Sequence, residues 1–322
     1  MKKVLALALA GAMTLSLAAC GSSASSETAA SETPAAATSE AAAAETSADD
    51  AAAEATSAEA AASAAVEDGV LTVGTNAEFP PFEFVGDDGE PDGFDIALIK
   101  AIGEKMGVDV QVENMEFASL VTSIGSKIDV AIAGMTVTEE RQNAVDFSDS
   151  YYDAVQSVIV PADSAIATAD DLKNLRIGSQ MGTTGHILSE EIEGAEPKPY
   201  DKAVDAVNDL INGKIDCVIV DQNPAKVFAD KFPEQVKALD GADFGFEVEK
   251  YAIAVPKGDT ALLDAVNAAL AEVKADGTFD KLVAQYIGGE NADAAAGETS
   301  GEAASEAAST EEAADAATSV AE

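Results

Sequence analysis

Twice along this chain, short β-branched runs alternate with longer apolar stretches of helical spacing, and that alternation admits few folds. Residues 70–74 (VLTVG) read as a first strand. The next periodic stretch places Ile96, Leu98, Ile99, Ile102 and Met106 on a helix that Gly107 stops. Residues 108–112 read as a second strand. A helix over 117–124 turns Leu120, Val121 and Ile124 inward, and 128–133, interrupted only by Asp129, reads as a buried third strand. The order β-α-β-α-β puts helices on a largely parallel sheet. It also gathers the loops after the strands, 75–84, 113–117 and 134–141, along one edge. In the first of these loops Pro80 and Pro81 stand inside an aromatic cluster and forbid helix; residues 87–90 (DDGE) form the turn of a short hairpin.

The pattern then repeats. A run at 155–160 starts a second unit, Asp170, Asp171 and Leu172 open a short helix, and 175–178 is a strand with the loop 179–185 at its end. A helix over 186–191, a strand near Lys198, a helix over 202–210 and a strand over 215–220 complete it. Asp221 ends that last strand, and Pro224 suits the first turn of the helix behind it. A buried strand over 251–256 and helices over 260–274 and 278–287 follow. Two such α/β lobes either stand apart or face one another across a cleft, and periodicity alone leaves both arrangements open.

The two ends are of another kind. Residues 1–20, MKKVLALALAGAMTLSLAAC, join two lysines, an apolar run and small residues, the pattern of a secretory signal peptide. The run is short for a membrane span. Leu17-Ala18-Ala19-Cys20 resembles the bacterial lipobox, in which the cysteine becomes the lipidated first residue of the mature protein, so Cys20 is expected to carry a membrane anchor. Residues 21–66 and 289–322 are almost entirely Ala, Ser, Thr, Glu and Asp, with no aromatic residue, and are expected to be a disordered linker and a disordered acidic tail.

Setting aside the seventeen acids of those flanks and the two leader lysines leaves 42 acids against 16 basic residues, a balance near −26. That balance argues against nucleic acid or anionic lipid as a partner, since either demands a basic face. With Cys20 at the anchor only Cys217 remains, inside the run IDCVIV, where it reads as a buried small hydrophobe. One histidine, His186, and one buried thiol supply neither a metal cluster nor a Cys/His or Ser-His-Asp arrangement. No Walker-type or dinucleotide-type glycine loop is present, so neither metal nor cofactor is expected.

The chemistry gathers in residues 127–149, KIDVAIAGMTVTEERQNAVDFSD. After the strand come Gly134 and Thr136, then Thr138 with Glu139 and Glu140 behind it, a helix start that places Arg141 in or just after a first turn. An arginine at a strand's carboxyl end, beside free backbone N–H groups and hydroxyls, suits a small carboxylate, because its planar fork takes both oxygens. The same arginine also suits a surface ion pair with Glu139 or Asp146, and this segment alone does not decide between them.

Six blocks in order decide more. VGTNAEFPPFEF, GFDIALIKAI, KIDVAIAGMTVTEERQNAVDFSDSYY, IGSQMGTTG, GKIDCVIVDQNPA and YAIAVPKGD resemble the extracytoplasmic amino-acid-binding proteins of ABC transporters, in the polar-amino-acid family of the type II periplasmic-binding fold. The resemblance spans essentially all of 69–288. It implies two lobes, 67–153 with 251–288 and 154–250, joined by two crossovers near 152–154 and 249–251 and closing over a ligand by a hinge. It further implies that Arg141 grips the ligand α-carboxylate with help from a Gly134 N–H and the Thr136 hydroxyl, that Thr184 donates from the second lobe, and that Asp221 receives the α-ammonium. Phe79 and Phe117 would sandwich the side chain, with Phe82 either beside them or in the core. Asn76, Glu78, Gln180 and Thr183 would line the variable part, while His186 is expected on the helix surface. The link 124–129 is one residue shorter than is usual in the family.

The expected function is capture of a polar L-amino acid by a monomeric, lipid-anchored receptor and delivery to a membrane permease, not enzymatic turnover. Two alternatives stand beside it: a dehydratase-like lyase on the same fold, with Glu78 as its acid or base, and a receptor feeding a signalling partner.

Overall fold

The computed structural model describes Val66 and residues 68–288. The leader with Cys20, the linker 21–66 apart from its last residue, and the tail 289–322 lie outside the described residues. Along the first stretch run β1 (Val70–Thr75), β2 (Glu78–Phe79), β3 (Glu83–Val85), β4 (Pro91–Asp92), helix α1 (Phe94–Met106), β5 (Asp109–Asn114) and helix α2 (Phe117–Ser123). They are followed by β6 (Val130–Ala131), α3 (Glu139–Ala144) and β7 (Val145–Phe147). The second stretch holds β8 (Tyr152–Pro161), β9 (Arg176–Gln180), α4 (Thr184–Glu191), β10 (Glu196–Tyr200), α5 (Ala203–Ile211), β11 (Cys217–Asp221), α6 (Gln222–Lys231) and β12 (Val236–Leu239). Then come β13 (Val248–Tyr251), β14 (Ala254–Pro256), α7 (Thr260–Ala275) and α8 (Thr278–Leu282).

Apart from β2, β3 and β4, which form a small antiparallel sheet, most of these strands build two mixed sheets, ordered β5-β1-β6-β14-β7 and β10-β9-β11-β8-β12. Each is parallel through its first three strands, as helical crossovers require, and antiparallel where β14 and β8 join. β14 returns to the first sheet after the second is built, so the chain passes between the lobes along β8 and β13. Those two pair with each other, Tyr152 opposite Tyr251 and Ala154 opposite Glu249.

The packing explains the boundaries. α1 buries Phe94, Ile99, Ile102 and Met106 in one cluster with Leu262, Val266 and Leu270 of α7 and with Leu71 and Val73 of β1. Each such side chain contributes roughly 1.5–3 kcal/mol on burial, and together they brace the strand whose far end opens on the site. Gly107 ends α1 at φ 68°, a left-handed conformation that a side chain would strain. In the other lobe Val158, Ile177, Cys217 and Ile219 form a separate cluster, and burial pushes the Cys217 thiol up to about 12.

Four elements differ from expectation. The loop 75–84 contains the hairpin β2–β3, closed by the Phe82 N–H on the Phe79 carbonyl at 3.0 Å. The third strand shrinks to Val130–Ala131 because the chain leaves the sheet after the Ile132 N–H reaches Gly74. The strand expected over 251–256 is cut in two, since the Ala252 N–H turns to the Met135 carbonyl. The last helix widens its turn at Val283–Ile287.

Candidate functional site

The first wall of the site is the segment that leaves β6. Gly134 has φ 51°, and a Cβ there would meet the Phe79 ring at 3.0 Å and the Tyr251 ring at 3.3 Å, so only glycine fits without strain. Its N–H donates to Asp95 Oδ2 at 2.7 Å. It is therefore not the free donor that the family pattern implied, and the carboxylate of α1 holds it instead. One residue on, the Met135 carbonyl and the Val137 N–H pair with Ala252 and Lys250 of the crossing segment. Alternation along an extended chain turns the N–H and C=O of Thr136 the other way, toward the cleft.

Arg141 follows, and its own N–H donates to the Thr138 hydroxyl that caps α3. Only 9% exposed, its guanidinium donates to the Thr136 carbonyl at 2.6 Å and, across to the second lobe, to the Gly182 carbonyl at 2.9 Å. The guanidinium carbon lies 5.3 Å from the centre of the Phe117 ring. Burial lowers its pKa while Glu249, Asp221 and Glu140 support the charge. Asp146, the alternative partner, bonds Lys257 at 2.6 Å. The surface ion pair does not form.

The second wall comes from the ends of β9 and β11. Thr183 caps α4 by accepting from the His186 N–H, which starts that helix two residues earlier than expected and leaves the N–H groups of Thr184 and Gly185 without an intrahelical partner. Asp221 precedes α6, yet its side chain does not cap that helix, and Pro224 falls on the third helical position. Asp221 Oδ1 accepts from the Tyr251 hydroxyl at 2.6 Å. The carboxyl is only 6% exposed; burial and the nearby Glu249 push its pKa from 3.8 up to about 7, and the Tyr251 bond pulls the other way.

Between the walls lies a narrow cleft, largely filled by its own lining side chains. Asn76, Phe79, Phe117, Gly134, Thr136 and Arg141 line it from the first lobe, joined by Ala133, and Gln180, Thr183, Thr184 and Asp221 from the second. Glu78 is not among the lining residues. It pairs with Lys202 of the second lobe at 2.7 Å. Phe82 is fully buried among Phe79, Phe94, Tyr152 and Tyr251, a core position and not a wall. His186 stays outside the cleft, with Nδ1 accepting from the Gly182 N–H at 3.4 Å. The short link 124–129 closes as a tight turn through the Gly125 N–H and the Ile128 carbonyl, and Phe117 still reaches the cleft.

Three groups behind the cleft escaped the sequence reading. Glu249 on β13 accepts through Oε2 from the Thr136 hydroxyl at 2.6 Å and from the Thr184 hydroxyl at 2.7 Å. Asp95 and Glu83 are fully buried and adjacent. Burial and the neighbouring Asp95 raise Glu83 well above its ordinary value, and burial raises Asp95 to about 6. Asp95 Oδ2 also accepts from the Tyr151 hydroxyl at 2.7 Å. An acid inside the aromatic run EFPPFEF was the available signal for Glu83; Asp95 looked like an ordinary first-turn acid.

Residues 71–289 match the family described as bacterial extracellular solute-binding proteins, family 3. The chain belongs to that family. Among curated family-3 proteins, ABC transporter arginine-binding protein 1 of Escherichia coli (strain K12) is 36% identical over 222 residues, 67% of this chain and 90% of that one. The L-cystine-binding protein TcyJ of the same strain is 32% identical over 228 residues, 70% and 85% respectively. A solved ancestral arginine-binding protein bound to arginine superposes with a TM-score of 0.64 at 39% identity, over 68% of this chain and 98% of that one. The two-lobed mixed α/β architecture is thus that of family-3 amino-acid-binding proteins.

Proposed function

We propose that the chain captures a polar L-amino acid between its lobes and hands it to the permease of an ABC transporter. The observation that carries this reading is a pair of opposite charges on opposite walls of one cleft, Arg141 from the first lobe and Asp221 from the second. A zwitterion with its two charges one carbon apart satisfies both, and only when the lobes are together. Its carboxylate would take the guanidinium and the N–H groups of Thr136 and Thr184, and its ammonium would take Asp221. Each buried charge-assisted bond contributes roughly 1.5–3 kcal/mol. The side chain would lie between Phe79 and Phe117 and end near Asn76, Gln180 and Thr183. The relatives named for arginine and cystine, one of them as an ABC transporter protein, support both the ligand class and the partner.

The lobes are taken as 67–153 with 251–288 and 154–250, acting as a monomer tethered outside the membrane by a lipid on Cys20; the leader pattern and the crossing strands β8 and β13 support this. The lyase alternative rested on Glu78, which is paired with Lys202 away from the cleft. A thermal-shift screen of the full chain against the twenty amino acids and cystine tests the reading. Ligand at a hundredfold excess over Kd stabilises by roughly 2.7 kcal/mol, a rise of about 5–10 °C for a domain of this size. No rise with any of them would overturn it.

A further inference from the structure

Glu249 carries chemistry that the ligand contacts just described do not use. It lies on the crossing strand β13, opposite Ala154 of β8, and the carbonyl of its neighbour Lys250 accepts from the Val137 N–H. Its carboxylate is thereby held where the two lobes meet, and one oxygen serves a hydroxyl from each, Thr136 at 2.6 Å and Thr184 at 2.7 Å. We propose that Glu249 is a specificity-determining residue that fixes the direction of these hydroxyls and so makes the site demand a ligand ammonium group. This rests on the amino-acid reading above.

The argument is one of proton direction. A carboxylate oxygen only accepts, and a hydroxyl has one proton to give. Both threonines therefore donate to Glu249 and neither can donate to a ligand. Thr184 Oγ1 additionally accepts from the Gln156 amide at 3.1 Å, so its hydroxyl is already engaged in both senses. Thr136 Oγ1 keeps a free lone pair, and Thr136 lines the same cavity as Asp221. An ammonium group, with three protons, satisfies both acceptors. At pH 8, where Asp221 is ionised, a 2-hydroxy acid of the same shape has one proton and must leave a lone pair facing a lone pair, which is the strong form of polar discrimination. With glutamine at 249, the side-chain amide can donate to Thr136, freeing that hydroxyl to turn its proton into the cleft.

Isothermal titration of the full chain tests this with L-arginine, L-histidine and L-glutamine, each paired with its 2-hydroxy-acid counterpart. For the amino acid that binds, Glu249→Gln is expected to weaken the amino acid at least tenfold and the hydroxy acid less than threefold, so that their ratio collapses. Thr136→Val, which keeps shape and removes the acceptor, should collapse the same ratio and serves even if the first variant folds poorly. Equal weakening of both partners in Glu249→Gln, the signature of a merely structural role, or an unchanged ratio in Thr136→Val, overturns the proposal. Wild-type protein that binds none of the three amino acids, nor any other in the thermal-shift screen, overturns it together with the reading on which it rests, whereas wild-type binding with unchanged ratios overturns the proposal alone.

Discussion

Replacing Asp221 with asparagine should move stability and affinity in opposite directions, and both effects follow from one buried carboxyl. Its pKa rises from 3.8 to about 7, chiefly through burial and then through Glu249. A raised acid pKa means that the folded protein holds the proton more tightly than the unfolded chain. The associated stability is complete below pH 4 and is lost as the pH climbs through 7. At 1.36 kcal/mol per unit, about three units make ionisation of this carboxyl cost on the order of 4 kcal/mol. Asparagine cannot ionise, yet it keeps an oxygen for the Tyr251 hydroxyl that now bonds Asp221 at 2.6 Å. Ligand-free Asp221→Asn should therefore melt up to about 10 °C above wild type at pH 8 and level with it near pH 4. Binding goes the other way. The variant loses a charge-assisted contact worth roughly 1.5–3 kcal/mol, about a 10- to 150-fold weaker Kd at pH 8. Wild-type affinity should fall about tenfold per pH unit below 7 until it meets the variant, whose affinity barely responds to pH across that range. Scanning calorimetry at the two pH values, with titrations of the amino acid found by screening, measures both. A variant no more stable than wild type at pH 8, or one that binds as tightly, would refute the assignment.

Two further substitutions probe the opposite wall. Arg141→Lys keeps the charge but cannot span the Thr136 and Gly182 carbonyls while lying flat against Phe117. We expect about 2–4 kcal/mol of lost binding, roughly 30- to 1,000-fold by isothermal titration, in a protein whose circular dichroism is unchanged. Gly134→Ala places a Cβ at positive φ and 3.0 Å from the Phe79 ring. A loss of about 1–3 kcal/mol in urea unfolding follows from that strain, and a stability equal to wild type would show that the ring gives way.

Most of the cleft was legible through the family resemblance, which named its residues; the strand pattern by itself only set several of them at strand ends. The run 128–133 followed by a glycine, a threonine and a capped arginine states its geometry within a few residues, and Thr138 does cap the helix that carries Arg141. The same holds for Gln180–Thr184 after β9 and for Asp221 after β11. What remained hidden depends on pairs far apart in the chain. Glu78 looked like a ligand group until Lys202, from the other lobe, took its carboxylate. Glu249 looked like one more acid in a hinge, because nothing in its neighbourhood announces two hydroxyls from different lobes. Gly134 matched a donor position, but Asp95 on α1 already holds its N–H. The register of polar groups across a cleft is a tertiary property, and a pattern of residue types does not encode who donates to whom.

The cross-lobe contacts also set how the cleft works. Between the lobes, Gln180 donates to Asn76 at 2.8 Å, a neutral bond of about 0.5–1.5 kcal/mol. Lys202 meets Glu78 with the lysine 45% exposed, an ion pair that water and salt reduce to about 0–1 kcal/mol. Arg141 on the Gly182 carbonyl adds a charge-assisted bond of roughly 1.5–3 kcal/mol. The Tyr251 hydroxyl on Asp221 and the Thr136 hydroxyl on Glu249 also cross between the lobes, and against all these contacts stand the ordering of the walls and the repulsion between Asp221 and Glu249. On the proposed function, a ligand ammonium at Asp221 would relieve that repulsion, adding a cation to a carboxyl that Tyr251 and Gln156 already face. Arg141, by contrast, already has carbonyl partners in both lobes.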